Sequence, residues 1–350
     1  MTNITKAPVA VVTGASAGVG RATAIAFAGH GFDVALVARG ETGLKAAAAD
    51  VEAAGRRALV LAVDVSDPEA VDEAAGRVEA ELGPIDVWVN DAMTTVFAPS
   101  WEVSADDFKR AVEVTFFGQV WGTMAALKRM RPRDRGNIVN VGSALAFVGI
   151  PLQSAYCSSK FACRGFFESV RAELLHEGSN VRLSMVHLPA VNTPQFDWCQ
   201  TVLDKHPQPV PPIYQPETPA KAILDVALDG RREKVVGSWN KMLVFVDSLF
   251  RGVGNNYAAM AAWGSQLTDQ SVKPGRPVNL RHPADDDRDF GAHGIFDGQA
   301  RGVLDPSFLK TLPRTAGLFL KAVKANMRDK AKTEKKMLGD PPPKPGRLQR

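Results

Sequence analysis

Six apolar, β-branched runs recur along the first half of the chain, and each is separated from the next by a longer alanine-rich or amphipathic stretch. Near-continuous apolar strands that alternate with helices are typical of a parallel sheet that is covered on both faces and has right-handed crossovers. The sequence therefore predicts an α/β fold, a Rossmann-like doubly wound parallel sheet of about seven strands. The predicted strands lie at 9–12, 34–37, 59–63, 86–89, 138–141 and 181–186, with a seventh at 234–238.

This pattern weakens towards the C-terminal third, which divides the chain into three predicted parts. Residues 1–240 are predicted to form the Rossmann-like catalytic domain. Residues 241–332 are predicted to form a C-terminal extension with amphipathic helices at 241–263 and 306–332. Residues 333–350 contain DPPPKPGRLQR, and we predict that they form a disordered basic tail.

The distribution of charge argues against nucleic-acid binding. The chain carries a net charge of +4, but its last 30 residues hold ten Lys or Arg against three acids and are +7, so the other 320 residues are −3. A nucleic-acid-binding domain carries its basic patch on the folded part, so we expect no nucleic-acid partner.

We expect the C-terminal extension to pack on the domain or on a second subunit. The alternative is peripheral membrane contact through the apolar side of residues 318–327 and the basic tail.

Several features together predict a soluble, cytoplasmic protein. The first eight residues lack the charged and then apolar pattern of a secretion signal, and no run approaches the roughly 18 apolar residues of a membrane span. An odd, low number of cysteines is typical of reduced thiols, and here they are Cys157, Cys163 and Cys199.

No metal is predicted, because the six histidines show no ligand spacing and the Asp-rich stretch 285–289 lacks the glycine of a calcium loop. We interpret that stretch as a solvated acidic turn.

The segment TGASAGVG, residues 13–20, stands where the first strand meets the first helix. Gly14 would allow the sharp turn, while Gly18 and Gly20 would let the backbone approach a pyrophosphate and pack the helix against the sheet. The free N–H groups of the helix then attract an anion. A merely tight turn is the alternative, but the position at the first strand-to-helix junction favours dinucleotide binding.

The end of the second strand bears on the choice of cofactor. A carboxylate there would bind the ribose hydroxyls of NAD, but this strand ends in Ala38 and Arg39. Because a guanidinium can bind a phosphate with two hydrogen bonds, the sequence favours NADP, with NAD as the alternative. Asp64 and Asn90 end the third and fourth strands and are predicted to meet the adenine and to line the cleft; each could instead only cap a turn.

Three further residues form a candidate catalytic set. Ser143 ends the fifth predicted strand, and Tyr156 and Lys160 follow in YCSSK. Positions four apart share a helix face, so both side chains are predicted to point towards Ser143. A tyrosine beside an ammonium and a nicotinamide cation has a lowered pKa and can exchange a proton with a substrate oxygen. Alone, a Tyr and a Lys at this spacing would be an ordinary surface pair.

Joined to Asp64-Val65, VNDA, VGSA and LPAVNT, these motifs resemble those of the short-chain dehydrogenase/reductase family over residues 8–194. The resemblance implies that Ser143 orients the substrate, that Tyr156 carries the proton, and that Lys160 tunes Tyr156 and holds the ribose. It also implies a small-molecule carbonyl or alcohol substrate, and a homo-oligomer. The positions that match the family's cofactor-binding segments, besides those already given, are Ser16, Val19, Val65, Ala92, Pro189 and Thr193.

The chain departs from the family's pattern at two places that matter for catalysis. The usual Asn-Asn-Ala-Gly is Asn90-Asp91-Ala92-Met93, and the usual fourth catalytic residue, an Asn, corresponds to Thr115. These departures favour the alternative hypothesis that the protein is a non-catalytic dinucleotide-binding sensor or scaffold. The intact set of Ser143, Tyr156 and Lys160 favours an oxidoreductase.

Overall fold

The protein is described by a computed structural model that covers residues 7–249 and 262–300. Its centre is a sheet of seven parallel strands in the order β7-β6-β5-β4-β1-β2-β3. The predicted fold class is therefore confirmed. The strands are β1 (Val9–Thr13), β2 (Asp33–Ala38), β3 (Ala58–Ala62), β4 (Ile85–Asn90), β5 (Asn137–Ser143), β6 (Arg182–Leu188) and β7 (Glu233–Val235).

Helices cover both faces of the sheet, which explains why every residue of β1 and of β2 is buried. One apolar core lies under α1, α2 and α7 and includes Phe27, Leu44 and Ile223; the other includes Trp88 and Phe167. The helices are α1 (Gly18–Gly29), α2 (Glu41–Ala53), α3 (Pro68–Glu81), α4 (Ala105–Val112), α5 (Gly118–Met130), α6 (Ser154–His176), α7 (Glu217–Asp229) and α8 (Ser238–Leu249). A π-helical turn, Glu113–Phe117, joins α4 to α5.

The order of the strands determines where a ligand can bind. From β1 the chain goes outward to β2 and β3, and then returns to the other side of β1 with β4. The crossover helices therefore diverge at the carboxyl ends of β1 and β4, which opens a crevice there. In doubly wound sheets this switch point is where ligands bind.

The chain beyond residue 240 is only partly within the described residues. The predicted helix at 241–263 coincides with α8 as far as Leu249, whereas 250–261, the predicted helix at 306–332 and the tail at 333–350 lie outside the described residues. Residues 267–271 form a strand that pairs antiparallel with 205–207. Within 7–249 and 262–300, no helix is long and apolar enough to cross a membrane.

Candidate active site

A cavity of about 1080 Å³ opens at the switch point of the sheet. Its wall includes most of the residues that the sequence assigns to a cofactor or to catalysis, so one space connects the glycine loop to the candidate catalytic set. The predicted residues that line it are Gly14, Ser16, Gly18, Val19, Arg39, Asp64, Val65, Ala92, Ser143, Tyr156, Lys160, Pro189 and Thr193. Three predicted residues, Gly20, Asn90 and Thr115, are buried or packed behind that wall.

The glycine loop has the close approaches that exclude larger side chains. Gly14 adopts a φ of +72° and donates its N–H to the Val37 carbonyl at 2.7 Å. A Cβ at this position would lie only 2.9 Å from Cα of Ala92. A Cβ on Gly20 would lie 2.1 Å from the carbonyl oxygen of Gly14. Gly20 therefore lets α1 pack on the loop, and Gly14 and Gly18 leave the loop backbone open to the cavity.

The candidate catalytic residues come together as their spacing predicts. Ser143 ends β5, and the side chain of Tyr156 is hydrogen-bonded to it. One turn along α6, Nζ of Lys160 lies 5.6 Å from the centre of the Tyr156 ring and donates to the Val141 carbonyl at 2.7 Å. A hydroxyl, a phenol and a buried amine thus surround one corner of the cavity, an arrangement suited to moving a proton to or from a substrate oxygen.

Comparison with known proteins agrees with this geometry. The pattern that defines the short chain dehydrogenase family matches residues 8–199, more than half of the chain, and includes Ser143, Tyr156 and Lys160. The chain belongs to the short-chain dehydrogenase family. An uncharacterized oxidoreductase of Bacillus subtilis (strain 168), YxnA, is 34% identical over 271 residues, which are 77% of this chain and 76% of that protein.

Solved structures show the same fold. A short-chain dehydrogenase/reductase from Burkholderia phymatum, in complex with NAD, superposes with a TM-score of 0.64 over 70% of this chain and 94% of that one, at 21% identity. An alcohol dehydrogenase from Thermococcus sibiricus, complexed with 5-hydroxy-NADP, superposes with a TM-score of 0.56 over 65% of this chain and 94% of that one, at 26% identity.

Burial is the largest influence on the pKa values of Tyr156 and Lys160. It raises the pKa of Tyr156 above its ordinary value, and the hydrogen bond to Ser143 acts in the opposite direction. It lowers the pKa of Lys160, which the charges of Cys163 and Asp91 partly offset. Without further positive charge Tyr156 is therefore a phenol, ready to donate a proton; for it to act as a base, a cation must come close.

Asp91 brings a carboxyl group into this corner of the dehydrogenase. It lines the cavity directly after β4, and its backbone N–H donates to Oγ1 of Thr13 at 3.0 Å. Burial raises the pKa of Asp91 from 3.8 to about 7, and the positive charge of Lys160 opposes the shift. The sequence pattern identified Asp91 as a departure from the family's Asn, but it gave no sign that this carboxyl titrates near neutral pH.

We expect Asp91→Asn to remove a pH dependence of stability. Because the pKa of Asp91 is higher in the folded than in the unfolded chain, its stabilising effect is complete below pH 3.8 and is lost as the pH rises towards 7. Urea unfolding of the wild type should therefore give a smaller free energy at about pH 8 than at about pH 5, by a few kcal/mol. The variant should lose most of that difference, whereas Asp204→Asn, at an exposed carboxyl, should keep it; equal slopes in all three proteins would contradict this role of Asp91.

The structure does not bring the hydroxyl of Thr115 into the cavity. Thr115 lies in the π-helical turn and is fully buried, where its Oγ1 donates to the Thr94 carbonyl at 2.8 Å and accepts the Thr94 N–H at 3.0 Å. Its own carbonyl accepts a hydrogen bond from Sγ of Cys163 at 3.4 Å. The hydroxyl of Thr115 thus uses both its donor and its acceptor to hold the segment that follows β4. It therefore offers no visible path for a proton from the cavity.

Asn90 and Asp64 are also held by protein groups. The amide of Asn90 accepts from Nε1 of Trp88 at 2.7 Å and donates to Oδ1 of Asn140 at 2.8 Å, which fixes the end of β4 against β5. The carboxylate of Asp64 pairs with Arg110 and accepts the Ser66 N–H at 3.0 Å. Asp64 still lines the cavity, whereas Asn90 lies behind the cavity wall.

Arg39 is the residue on which the predicted preference for NADP depends, and its terminal nitrogens already have acceptors. Its terminal nitrogens donate to the main-chain carbonyls of Asn279, Leu280 and Arg281 and to the side chain of Asn279. Burial lowers the pKa of Arg39. A phosphate at this position would have to displace those carbonyl oxygens.

The far end of the cavity is apolar and aromatic. Phe196 and Trp198 lie on the short helix that follows Thr193, and both are more than nine-tenths buried. The ring of Trp198 meets that of Phe290 edge to face, with centroids 4.7 Å apart. Phe196 and Trp198 belong to the cavity wall, which Val148, Ile213 and Leu243 extend.

One cavity residue contradicts its sequence interpretation. The sequence places Asp285 in a solvated acidic turn, but only 3% of it is exposed and it lines the cavity. Asp287 and Asp289, which belong to the same turn, are exposed as predicted. No motif distinguishes Asp285 from its neighbours, so only the fold reveals its place.

Proposed function

We propose that the protein transfers a hydride between a nicotinamide dinucleotide and the carbon of an alcohol or carbonyl group. The observation that carries the proposal is that Ser143, Tyr156 and Lys160 share one cavity with the glycine loop. When bound, the cofactor supplies the hydride donor or acceptor. The glycine loop, Val19 and Thr193 would hold it, and the candidate catalytic set would act on the oxygen of the substrate.

Each catalytic residue has a distinct role in this proposal. Ser143 accepts the Leu145 N–H at 3.1 Å, which fixes its hydroxyl so that it can hydrogen-bond the substrate oxygen. Tyr156 donates a proton to that oxygen during reduction and accepts it during oxidation. Lys160, buried and anchored on the Val141 carbonyl, stabilises the phenolate of Tyr156 by its charge and offers its remaining N–H groups to the ribose.

The proposed substrate carries a substantial apolar group. The cavity beyond the catalytic corner is walled by Phe196, Trp198, Ile213 and Leu243 and by the prolines of 209–212. Such a wall rewards the burial of apolar surface, at about 25 cal/mol per Å². An aliphatic or aromatic ketone, aldehyde or secondary alcohol fits this chemistry.

We also propose a cytoplasmic homo-oligomer. Three large apolar side chains on the surface of the α4–α6 layer support it, since Phe117, Met124 and Phe161 are 38%, 53% and 45% exposed. Phe117 stacks on Trp121 with ring centroids 5.6 Å apart, which makes a firm apolar surface. A second copy that covered this surface would remove it from water.

The position of Arg39 in the sequence favours NADP, but its contacts in the structure do not. The guanidinium donates to three main-chain carbonyls and one side chain, so its contacts do not favour a phosphate ligand. The choice between NAD and NADP then depends on the other groups that face the adenosine end of the cavity.

The competing candidate is a non-catalytic dinucleotide-binding sensor or scaffold. It is favoured by one observation, that the hydroxyl of Thr115 is wholly engaged with Thr94 and provides no relay. To distinguish the two, we would first measure thermal stabilisation of the protein by NADH and NADPH. Oxidation of the better ligand would then be followed at its absorbance band with apolar and with polyhydroxylated carbonyl compounds.

We expect stabilisation by at least one nucleotide, and turnover with apolar carbonyl compounds in preference to polar ones. Stabilisation without turnover by any carbonyl compound or alcohol would support the sensor or scaffold. If neither nucleotide raised the melting temperature, both candidates would be wrong, because each requires the dinucleotide to bind the native state.

A further inference from the structure

Residues 279–291, here called the strap, run along the cavity beside the glycine loop and the carboxyl end of β2. The strap is attached to the loops that carry the predicted cofactor residues: Gly18 donates its N–H to the Gly291 carbonyl at 3.1 Å, and Gly43 donates to the Asp285 carbonyl at 3.1 Å. The guanidinium of Arg21 is paired with Asp289 as well as with Asp50. A segment far along the chain thus completes the cavity wall beside the carboxyl end of β2.

Asp285 is one of two strap residues, with Asn279, that line this space. Its carboxylate lies so close to the start of α2 that a Cβ on Gly40 would be 1.9 Å from Oδ1, and a Cβ on Gly43 would be 2.4 Å from Oδ2. The same point beside Gly43 is 3.0 Å from Cβ of Ser16. The two glycines therefore make room for a carboxylate at the carboxyl end of β2, next to the glycine loop.

The second carboxylate oxygen of Asp285 has no partner in the protein. Asp285 is 97% buried, since 3% of it is exposed, and no hydrogen-bond donor within the described residues reaches Oδ2. A buried carboxylate oxygen without a donor is costly, by more than an ordinary hydrogen bond contributes. Because Asp285 also lines the cavity, a ligand bound there would lie beside this carboxylate.

We propose that Asp285 selects NAD over NADP, by accepting hydrogen bonds from the adenosine ribose hydroxyls and by repelling a 2′-phosphate. The inference rests on the proposed function, because it requires that the dinucleotide bind in this cavity. In dinucleotide folds a carboxylate at the end of the second strand binds the ribose 2′-hydroxyl. Here the strand itself ends in Arg39, and the strap brings the carboxylate to the same place from 246 positions further along the sequence.

The contacts of Arg39 agree with this assignment. Both terminal nitrogens of the guanidinium donate to the strap, at residues 279–281. Arg39 therefore holds the strap in position and balances the charge of Asp285, instead of presenting a free fork to a phosphate. Asp286, which follows directly and accepts the Glu41 N–H at 3.3 Å, adds a second negative charge on the same side.

The test is to titrate the full-length protein with NADH and with NADPH, and to obtain both dissociation constants from nucleotide fluorescence. Asp285→Asn keeps the shape of the side chain and removes its charge, and Asp285→Ala removes both. Asp287→Asn is the matched control, because its carboxyl is exposed two positions further along the same strap. Melting temperatures establish that each variant is folded.

We expect the wild type and the control to bind NADH at least about 10-fold more tightly than NADPH. Both Asp285 variants should reduce that ratio by about 10-fold or more, with weaker NADH binding in each. A wild type that prefers NADPH would overturn the inference whatever the variants do, and so would an unchanged ratio in folded Asp285→Asn. If the wild type bound neither nucleotide, the proposed function itself would be wrong.

Discussion

Replacing Tyr156 with phenylalanine is expected to lower kcat by about 1,000-fold, within the range that a positioned acid or base contributes, and to leave cofactor affinity nearly unchanged. The substitution removes one hydroxyl, the one bound to Ser143, and keeps the ring that packs beside Lys160. Because the substrate oxygen would then have no proton donor, reduction should fail at the chemical step and not at binding. Steady-state kinetics with the best substrate, together with a fluorescence titration of the cofactor, separates the two effects.

The matched control for this experiment is Tyr214→Phe. Tyr214 is a buried tyrosine whose hydroxyl lies near Gly237, away from the cavity wall, so its loss should leave kcat within a factor of about 3, as for a change outside the site. A folded Tyr156→Phe enzyme that turned over at the wild-type rate would show that the proton comes from another group.

Replacing Lys160 with methionine is expected to lower kcat by about 100-fold or more and to weaken cofactor binding as well. Methionine fills a similar volume but carries no charge, so the phenolate of Tyr156 would lose the cation closest to its ring. Since that loss raises the pKa of Tyr156 further, the rate of alcohol oxidation should require a higher pH than in the wild type. A pH–rate profile measured with saturating cofactor reports this shift.

The fold is expected to tolerate the Lys160 substitution. The Val141 carbonyl that accepts from Lys160 also accepts from Nε2 of Gln119 at 2.7 Å, so it keeps one donor in the variant. Lys109→Met, at an exposed site on α4, is the control and should leave both the rate and its pH dependence unchanged. A loss of rate in Lys160→Met with the wild-type pH profile would mean that Lys160 positions the ribose but does not tune Tyr156.

Those parts of the fold and site that depend on short-range patterns could be predicted from the sequence. The buried strands show as apolar runs because both faces of the sheet are covered. The spacing of Tyr156 and Lys160 places them on one face of α6, which directs both towards the end of β5. The turn at Gly14 is equally local, because its φ of +72° is a conformation that glycine adopts readily.

What could not be predicted depends on contacts between distant parts of the chain. Arg39 looks free in the sequence, and its carbonyl partners lie about 240 residues away. Asp285 belongs to a run of aspartates with nothing to mark it, and its burial follows from the space left by Gly40 and Gly43. Thr115 aligns with a catalytic position, but its hydroxyl is engaged by a backbone segment 21 residues earlier.

The strap has a consequence for how the protein is made. A nascent chain that has emerged as far as Leu249 already contains all seven strands and the pair on α6, so the sheet can form while synthesis continues. Until residues 279–291 emerge, however, Gly18 lacks its acceptor on Gly291 and the adenosine side of the cavity lacks one wall. The corner that holds Ser143, Tyr156 and Lys160 can therefore form before the strap completes the cavity wall.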